Sequence, residues 1–270
     1  MATLTTSSKR PYHIIVFGAT GFTGQFVVEE VARTCNEGPG GTLQWAVAGR
    51  NRDRLEKTLV QAADALRKPE LKCWKVIVVD VAEPESLAIM CKQGIIGLTA
   101  WDHNDHSILG DVMKVQYMAY VGIGGLFSVL KTLFAGVVFW FMVKFSLGRG
   151  LLTEFPEFFS FGLFSKTGPT RKQMDGTSFC LRFMGEGYTT GQDPSQGKPN
   201  ATISTEITGP EPGYITTPIT MVQAAITLLN EHHCLPNKGG VYTPGSAFAR
   251  TTLIDRLNKH GIQFSLKNGQ

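Results

Sequence analysis

The sequence predicts an α/β fold with a truncated, doubly wound parallel sheet, followed by an apolar, membrane-prone segment and an α+β C-terminal region. Apolar strands alternate with amphipathic helices along the first 93 residues, which is the pattern of a parallel sheet. Two uncharged runs separated by one lysine then occupy residues 115–143. Strand and helix patterns return after residue 177.

The first unit combines a strand, a glycine turn and a helix. An apolar strand is expected at 13–17, and Gly18, Gly21 and Gly24 follow it at intervals of three. Residues 25–33 have apolar positions at helical spacing. This is the context that a dinucleotide-binding fingerprint requires. In such a site the three glycines allow a tight turn, close approach to the pyrophosphate and close packing of helix on sheet, in that order.

The glycine spacing is Gly-x-x-Gly-x-x-Gly and not the tighter Gly-x-Gly-x-x-Gly, so an ordinary strand-to-helix turn is the alternative. The flanking strand and helix favour a nucleotide site, with the phosphates at the helix N-terminus. The predicted cofactor contacts in this turn are Gly18, Ala19, Thr20, Gly21, Phe22, Thr23 and Gly24.

The second unit begins with a strand at 43–50. In a dinucleotide fold, an acidic residue after this strand binds the 2′-hydroxyl of NAD, whereas an arginine accommodates the 2′-phosphate of NADP. This turn has no acid and carries Arg50 and Arg52, which favours NADP, with NAD as the alternative cofactor. The alternative is that both arginines are merely solvated loop residues. Asn51 is expected to cap the next helix, at 53–68.

The third unit has a strand at 75–80 and a short helix at 85–92. Asp80 ends the strand, where it could approach the adenine of the cofactor or cap the turn after the strand. A weak fourth strand is expected at 94–99. Three strand–helix units in a row predict a right-handed, doubly wound sheet of the Rossmann type.

A polar run after this strand has histidine and aspartate at metal-like spacing. His103 and His106 lie three apart, with Asp102, Asp105 and Asp111 nearby. A solvated loop is the favoured interpretation, because nothing distant supplies a matched ligand set. The sequence therefore predicts no metal site.

The apolar segment contains two uncharged runs, 115–130 and 132–143, which Lys131 divides and Lys144 closes. A membrane span needs about 20 apolar residues, and neither run reaches that length. In a joined span, Lys131 would lie near the middle at a cost of about 2.5–3.5 kcal/mol. Because phenylalanines continue through 155–164, an interfacial or hairpin-like membrane segment is predicted, with a buried core helix as the alternative.

The C-terminal region predicts a mixture of strands and helices. The expected elements are strands at 178–184 and 201–208 and helices at 218–230 and 252–260. His232, His233 and Cys234 follow a helix, where histidines are favourable, and this explains them better than a metal site.

Composition narrows the possible function and location of the chain. The chain has 270 residues and a net charge of +4, with its basic residues scattered, so nucleic-acid binding is disfavoured. Five cysteines without a pattern suit a reducing compartment. Residues 1–12 are polar and lack the apolar run of a secretory signal.

Taken together, these motifs resemble the saccharopine dehydrogenase-like oxidoreductases, and the resemblance extends over residues 10–93 and 115–265. The segments that carry it are 16–24, 45–50, 155–162, 239–248 and 253–262. The resemblance implies an NADP-type oxidoreductase associated with lipid droplets or membranes on their cytosolic face, with a mitochondrial location as the alternative. It also implies hydride transfer at a C–N bond and a link to lipid or glycolipid metabolism, on a small-molecule substrate that the residues do not identify.

The sequence departs from this family after the third helix. Family members continue there with a fourth strand, a turn near the nicotinamide and a large block that builds the substrate domain, and residues 99–114 replace all of it. No catalytic acid or base is therefore assigned, and a non-catalytic nucleotide-binding protein at a membrane or droplet is the alternative function. The expected domains are 1–98, a linker at 99–114, an apolar segment at 115–165 and a C-terminal region at 166–270.

Overall fold

The computed structural model describes residues 10–80, 82–93, 118–120, 122, 125–160, 162, 165, 168–189, 191–192, 197–236, 240 and 242–267. It divides into two compact units, one formed by Met1–Asp111 with Met174–Gln270 and the other by Val112–Gln173. The expected fourth strand at 94–99 and the linker at 99–114 lie outside the described residues.

The secondary structure alternates strands and helices at first and is mixed afterwards. The strands are β1 (Ile14–Phe17), β2 (Trp45–Gly49), β3 (Val76–Val78), β4 (Ser178–Gly187), β5 (Ala201–Pro210) and β6 (Gln263–Lys267). The helices are α1 (Phe22–Arg33), α2 (Arg52–Leu66), α3 (Pro84–Gln93), α4 (Leu126–Val143), α5 (Ser146–Glu154), α6 (Pro156–Phe159), α7 (Arg171–Asp175), α8 (Thr217–Asn230), α9 (Pro244–Phe248) and α10 (Leu253–Lys259).

The first three strands form a parallel sheet in the order β1-β2-β3. Every residue of β2 is buried, as expected for the middle strand of a sheet covered on both faces. Phe17 is paired with Ala48, and Gly49 with Val78, so the three strands end at the same edge. The predicted α/β class and its parallel sheet are confirmed for these strands, whose order is that of one half of a doubly wound fold.

The main core lies between this sheet, α1, α2 and α8. Its fully buried side chains include Val28 and Val31 of α1, Leu55 and Leu59 of α2, and Ile226 of α8. Burying one such side chain contributes about 1.5–3 kcal/mol. The C-terminal region therefore shares one hydrophobic core with the first strand–helix units.

Ion pairs also join the N-terminal units to the C-terminal helices. Arg256 Nη2 donates to Glu37 Oε2 at 2.5 Å, and His260 Nε2 lies 3.0 Å from Glu37 Oε1. Arg256 Nε donates to the side-chain oxygen of Gln223 at 2.9 Å, and Asn230 Nδ2 donates to the backbone carbonyl of Glu37 at the same distance. The loop after α1 is thus held by both α8 and α10.

Replacing Arg256 with methionine is expected to lower the free energy of unfolding by about 2 kcal/mol, because it removes the donor to the Gln223 oxygen and leaves the partly buried Glu37 with His260 alone. This corresponds to a fall of roughly 4–8 °C in the thermal midpoint. Thermal unfolding followed by circular dichroism measures it. The matched control is Arg250→Met at an exposed position, where the effect should stay within about 0.5 kcal/mol. Equal shifts for both variants would show that the ion pairs do not stabilise the fold.

A second, antiparallel sheet has the order β4-β5-β6. One face of it is partly covered by α8 and α10, through contacts among Phe179, Ile207, Ile219, Leu257 and Phe264. β4 and β5 extend to Gly187 and Pro210, beyond the strands predicted at 178–184 and 201–208. β6 was not predicted.

The second unit consists of α4 and the short helices that follow it. α4 runs unbroken through Lys131, the residue that divides the two uncharged runs of the sequence. Lysine is a good helix former, so it interrupts the apolar pattern and not the helix. A Cβ at Gly148 of α5 would lie 2.2 Å from the carbonyl oxygen of Met142, so the chain turns back closely after α4.

Candidate functional site

The glycine turn between β1 and α1 is closed by backbone hydrogen bonds. Gly18 has a φ of +76°, a conformation that favours glycine, and its N–H donates to the carbonyl of Ala48 at 3.1 Å. The N–H of Gly21 donates back to the carbonyl of Gly18 at 2.9 Å. The turn is therefore tied both to itself and to the neighbouring strand.

The other two glycines permit close packing around the Gly18 carbonyl. A Cβ at Gly24 would lie 2.3 Å from that oxygen and 3.0 Å from Cα of Ala19, so no larger residue fits without moving the backbone. A Cβ at Gly21 would lie 3.2 Å from the same oxygen, which is tight but needs only a small shift. Ala19 is fully buried, Thr20 and Thr23 are partly buried, and Phe22 is exposed.

The N-terminus of α1 is open towards solvent. Gly21 occupies the N-cap position, where none of the described side chains accepts a capping hydrogen bond and the first turn holds no acidic residue. The first N–H groups of a helix lack intrahelical partners and carry a partial positive charge. Together with the turn, this arrangement suits a phosphate or pyrophosphate group.

Arg50 and Arg52 follow β2 at the same edge of the sheet but differ in their surroundings. Arg50 is exposed. Arg52 is the first residue of α2, and its Nη1 lies 3.4 Å from Glu56 Oε1, with both side chains about half exposed. Asn51 caps α2 as predicted, accepting from the N–H of Arg54 at 3.0 Å. Of the two arginines, Arg50 is thus the better placed to meet a phosphate.

Asp80 lies after β3 and is engaged in the turn that leads to α3. Its Oδ1 accepts from the N–H of Ala82 at 3.0 Å. Its backbone N–H donates to Ser86 Oγ, whose hydroxyl hydrogen-bonds back to the carbonyl of Asp80. The turn-capping alternative weighed from the sequence therefore describes this residue, and contact with an adenine stays a prediction.

An aromatic cluster beside the glycine turn was missed by sequence reasoning. The ring of Phe22 lies 4.6 Å from that of Tyr214 in an edge-to-face arrangement, and Phe26 is 5.9 Å from Tyr214. Tyr214 belongs to a π-helical turn, Pro212–Thr216, whose first N–H groups donate to the carboxylate of Glu211. The only sequence signal was Glu211 before Pro-Gly. This pattern indicates a capped turn but does not indicate that Tyr214 in the turn contacts Phe22.

Histidine and carboxylate residues do not form a metal centre in the described part of the chain, where no group of three or more potential ligands is found. His232 and His233 lie in a short 3-10 turn, His232–Cys234, with their rings 5.7 Å apart. The cluster of His103, His106, Asp102, Asp105 and Asp111 lies outside the described residues.

The second unit offers a different surface, an apolar helix. Within the described residues, α4 alone is long and apolar enough to cross a membrane, with a mean hydropathy of 2.0 and none of its span buried. Lys144 at its end lies 3.4 Å from the centre of the Trp140 ring. A cavity of about 550 Å³ separates α4 from the following helices, with mostly apolar walls and Ser128, Lys131 and Thr132 in its lining. This unit suits contact with lipid better than contact with water.

Comparison with known proteins finds relatives that match almost the whole chain. The saccharopine dehydrogenase-like oxidoreductase of Homo sapiens is 34% identical, and the match covers 96% of this chain and 98% of that protein. The aligned length is 421 residues, whereas this chain has 270, so the human protein carries a large block without a counterpart here.

Two partial matches differ in the location that their names give. A probable mitochondrial saccharopine dehydrogenase-like oxidoreductase of Arabidopsis thaliana is 45% identical over 52% of this chain and 31% of its own length. A lipid droplet localized protein of Caenorhabditis elegans is 36% identical over 47% of this chain and 30% of its own length. No family model matches this chain. No solved structure matches it either.

Proposed function

Because the chain belongs to the saccharopine dehydrogenase-like oxidoreductase family, we propose that it binds an NADP-type dinucleotide and acts as an oxidoreductase at a membrane or lipid-droplet surface. The glycine turn carries the proposal. It places an uncapped helix N-terminus at the carboxyl edge of a parallel sheet, which is where dinucleotide pyrophosphates bind. The proposed contacts are the residues from Gly18 to Gly24, with Asp80 at the neighbouring edge.

The reaction proposed is hydride transfer between the nicotinamide and a small-molecule substrate at a C–N bond, with a role in lipid or glycolipid metabolism. The family is typically NAD(P)-dependent. NADP is proposed over NAD because Arg50 follows β2, where an acidic residue would select NAD.

Arg50→Asp is expected to weaken NADPH binding by at least about tenfold, because it replaces a donor to the 2′-phosphate with a repelling charge. NADH lacks that phosphate, so its dissociation constant should change by less than about twofold. Parallel titrations by isothermal calorimetry measure both. Lys57→Asp makes the same charge change at an exposed position of α2 and is the control. An equal loss for both cofactors would show that Arg50 does not contact the 2′-phosphate.

The proposed location rests on α4 and on the relatives. A helix of this hydropathy with no buried residue needs an apolar environment, and one relative is named for its place on lipid droplets. The cytosolic face of a membrane or droplet is proposed, with the mitochondrion as the alternative that the plant relative's name suggests.

A second candidate function is nucleotide binding without turnover. The observation that favours it is the block present in the human relative and missing here, which we infer to include the region around the nicotinamide and substrate. A titration with NADPH and NADP⁺ comes first, followed by absorbance assays of cofactor turnover with amino acids and keto acids. Binding with turnover supports the oxidoreductase, and binding alone supports the second candidate. Absence of binding would contradict both.

A further inference from the structure

We propose that β4 is a docking edge for a second copy of this chain, which adds its own β4 antiparallel to the first across a two-fold axis at Met184. The two three-stranded sheets would then join into one sheet of six strands. The proposal rests on the edge position of β4, on the exposure of its apolar residues and on a sequence that complements itself in one register.

β4 is a long edge strand that no other described part of the chain protects. In the described part of the chain it pairs with β5 only, along all ten of its residues. Its outer row of backbone N–H and C=O groups is a template for another strand. Strands at exposed edges are usually short or carry proline or several charges. β4 has no proline and only two charged residues, Arg182 and Glu186.

The middle of β4 exposes three large apolar side chains that lie close together in the sequence. Leu181 is 50% exposed, Phe183 41% and Met184 85%. Leu181 and Phe183 lie on the same face of β4 as Phe179, which packs against the helices. They therefore continue this apolar face along the edge strand. A partner strand would cover this extension.

Symmetry limits the possible registers. A two-fold axis perpendicular to the sheet relates the two copies without exchanging the faces of the sheet. Residues directly opposite each other must share a face, so the axis has to lie midway between the two copies of a single β4 residue. With the axis at Met184, Leu181 and Phe183 of one copy lie opposite Gly187 and Gly185 of the other. The glycines leave room for the larger side chains, a pairing that stabilises edge glycines.

Charge selects the same register. With the axis at Met184, Arg182 of each copy lies opposite Glu186 of the other, which gives two complementary pairs. An axis at Arg182 or at Glu186 would place like charges opposite each other, and an axis at a residue between these and Met184 would leave both charges without a counterpart.

The existing contacts of Arg182 allow this pairing. Its Nε donates to Glu206 Oε2 at 2.9 Å, while the side chain is 71% exposed. Hydrogen bonds from Lys267 and then from Arg182 hold the pKa of the Glu206 carboxyl below its usual range, so this carboxylate, directly opposite Arg182 on β5, keeps its charge. A guanidinium has five N–H donors, which suffice for Glu206 and for a second carboxylate.

The first experiment measures the mass of the full-length protein in detergent micelles by sedimentation velocity over a range of protein concentrations. A dimer is expected. Arg182→Glu and Glu186→Arg, made separately, should each raise its dissociation constant by about tenfold or more, because each puts two like-charge pairs in the interface. The double swap, Arg182→Glu with Glu186→Arg, should restore dimerisation. A monomer at all concentrations would overturn the proposal, as would single variants that dimerise normally or a double variant as weak as the single ones.

The second experiment tests the register by disulfide cross-linking in a Cys180→Ser background, which removes the native thiol of β4. Met184→Cys should cross-link on mild oxidation, since directly opposed residues have Cα atoms about 4.5–5.5 Å apart, within disulfide range. Glu186→Cys is the matched control, because the two copies of this residue would lie about 13 Å apart along the strands. Equal cross-linking at both positions, or at neither, would overturn the register.

Discussion

Gly21→Val is expected to abolish measurable NADPH binding while leaving the protein folded. Gly21 is the N-cap of α1 and lies on the solvent side of the turn, where the proposed pyrophosphate would approach the backbone. A β-branched side chain there would hold the phosphate away from the first N–H groups of the helix. Hydrogen bonds to charged groups contribute about 1.5–3 kcal/mol each, so losing one or two weakens binding by on the order of a hundredfold.

The backbone explains why this variant should fold. Gly21 has φ −70° and ψ 161°, extended values that valine readily adopts. Its Cβ would lie 3.2 Å from the carbonyl oxygen of Gly18, a contact that a shift of a few tenths of an ångström relieves. Gly24→Val is the contrasting variant, because its Cβ would lie 2.3 Å from the same oxygen and should displace α1.

Calorimetric titration with NADPH and thermal unfolding, made on both variants, separate binding from folding. Gly21→Val should lose affinity with a nearly unchanged thermal midpoint, whereas Gly24→Val should lower the midpoint as well. Gly245→Val is the control, since nothing lies within 4 Å of its added Cβ. Normal NADPH affinity in a folded Gly21→Val protein would show that the glycine turn is not the nucleotide site.

The first three strand–helix units could be predicted because their signals are local. Strands of buried aliphatic residues and helices with a clear apolar stripe set the element types, and only the ends differ. α1, for example, begins at Phe22, three residues before the predicted start, because Gly21 already adopts the N-cap conformation. Helix boundaries depend on such single-residue conformations, which periodicity does not report.

The elements that sequence reasoning missed depend on distant partners. β6 does alternate, with Phe264 and Leu266 between polar residues, but it is only five residues long and four of them are exposed. It forms because its backbone pairs with β5, with Ser204 opposite Lys267 and Thr208 opposite Gln263. The packing of α8 against α1 also depends on a distant partner. The apolar stripe of α8 predicts that one face is buried, but not which helix covers it.

In the candidate site, too, local features could be predicted and contacts between distant segments could not. The glycines of the turn could be identified because each has a backbone role at a fixed spacing. The local roles of Asp80 and Arg52 depend on where each side chain points after its strand, and Asp80 caps its turn while Arg52 meets Glu56. Tyr214 could not be found at all, because its contact with Phe22 joins segments almost two hundred residues apart.

Lys131 lies near the start of α4. α4 begins at Leu126, after Gly125 with its φ of +79°, so Lys131 lies about one and a half turns from the start and not in the middle. From there its ammonium group can reach an interface while its stem lies along apolar material. The 18 residues of α4 extend about 27 Å, close to the 30 Å of a bilayer core. Lys144 and Trp140 at the other end suit the opposite boundary.

Residues 115–164, fused to a soluble reporter, are therefore expected to pellet with membranes and to resist extraction by high salt, because apolar burial and not charge holds them. Val137→Asp should release the fusion. Val137 is 65% exposed and lies well inside α4, away from both lysines. A charged residue at the centre of a membrane helix costs about 2.5–3.5 kcal/mol, which shifts partitioning by roughly a hundredfold.

The matched control is Val137→Leu, which keeps the position apolar and should leave the fusion in the pellet. Alkaline carbonate then distinguishes two geometries, since an interfacial helix is extracted and a span or hairpin is retained. The full-length chain with Val137→Asp should remain folded by circular dichroism, because none of α4 is buried in protein and the substitution creates no cavity. If the fusion stays soluble and the full-length variant unfolds, α4 is a core helix and the proposed membrane or droplet association is wrong.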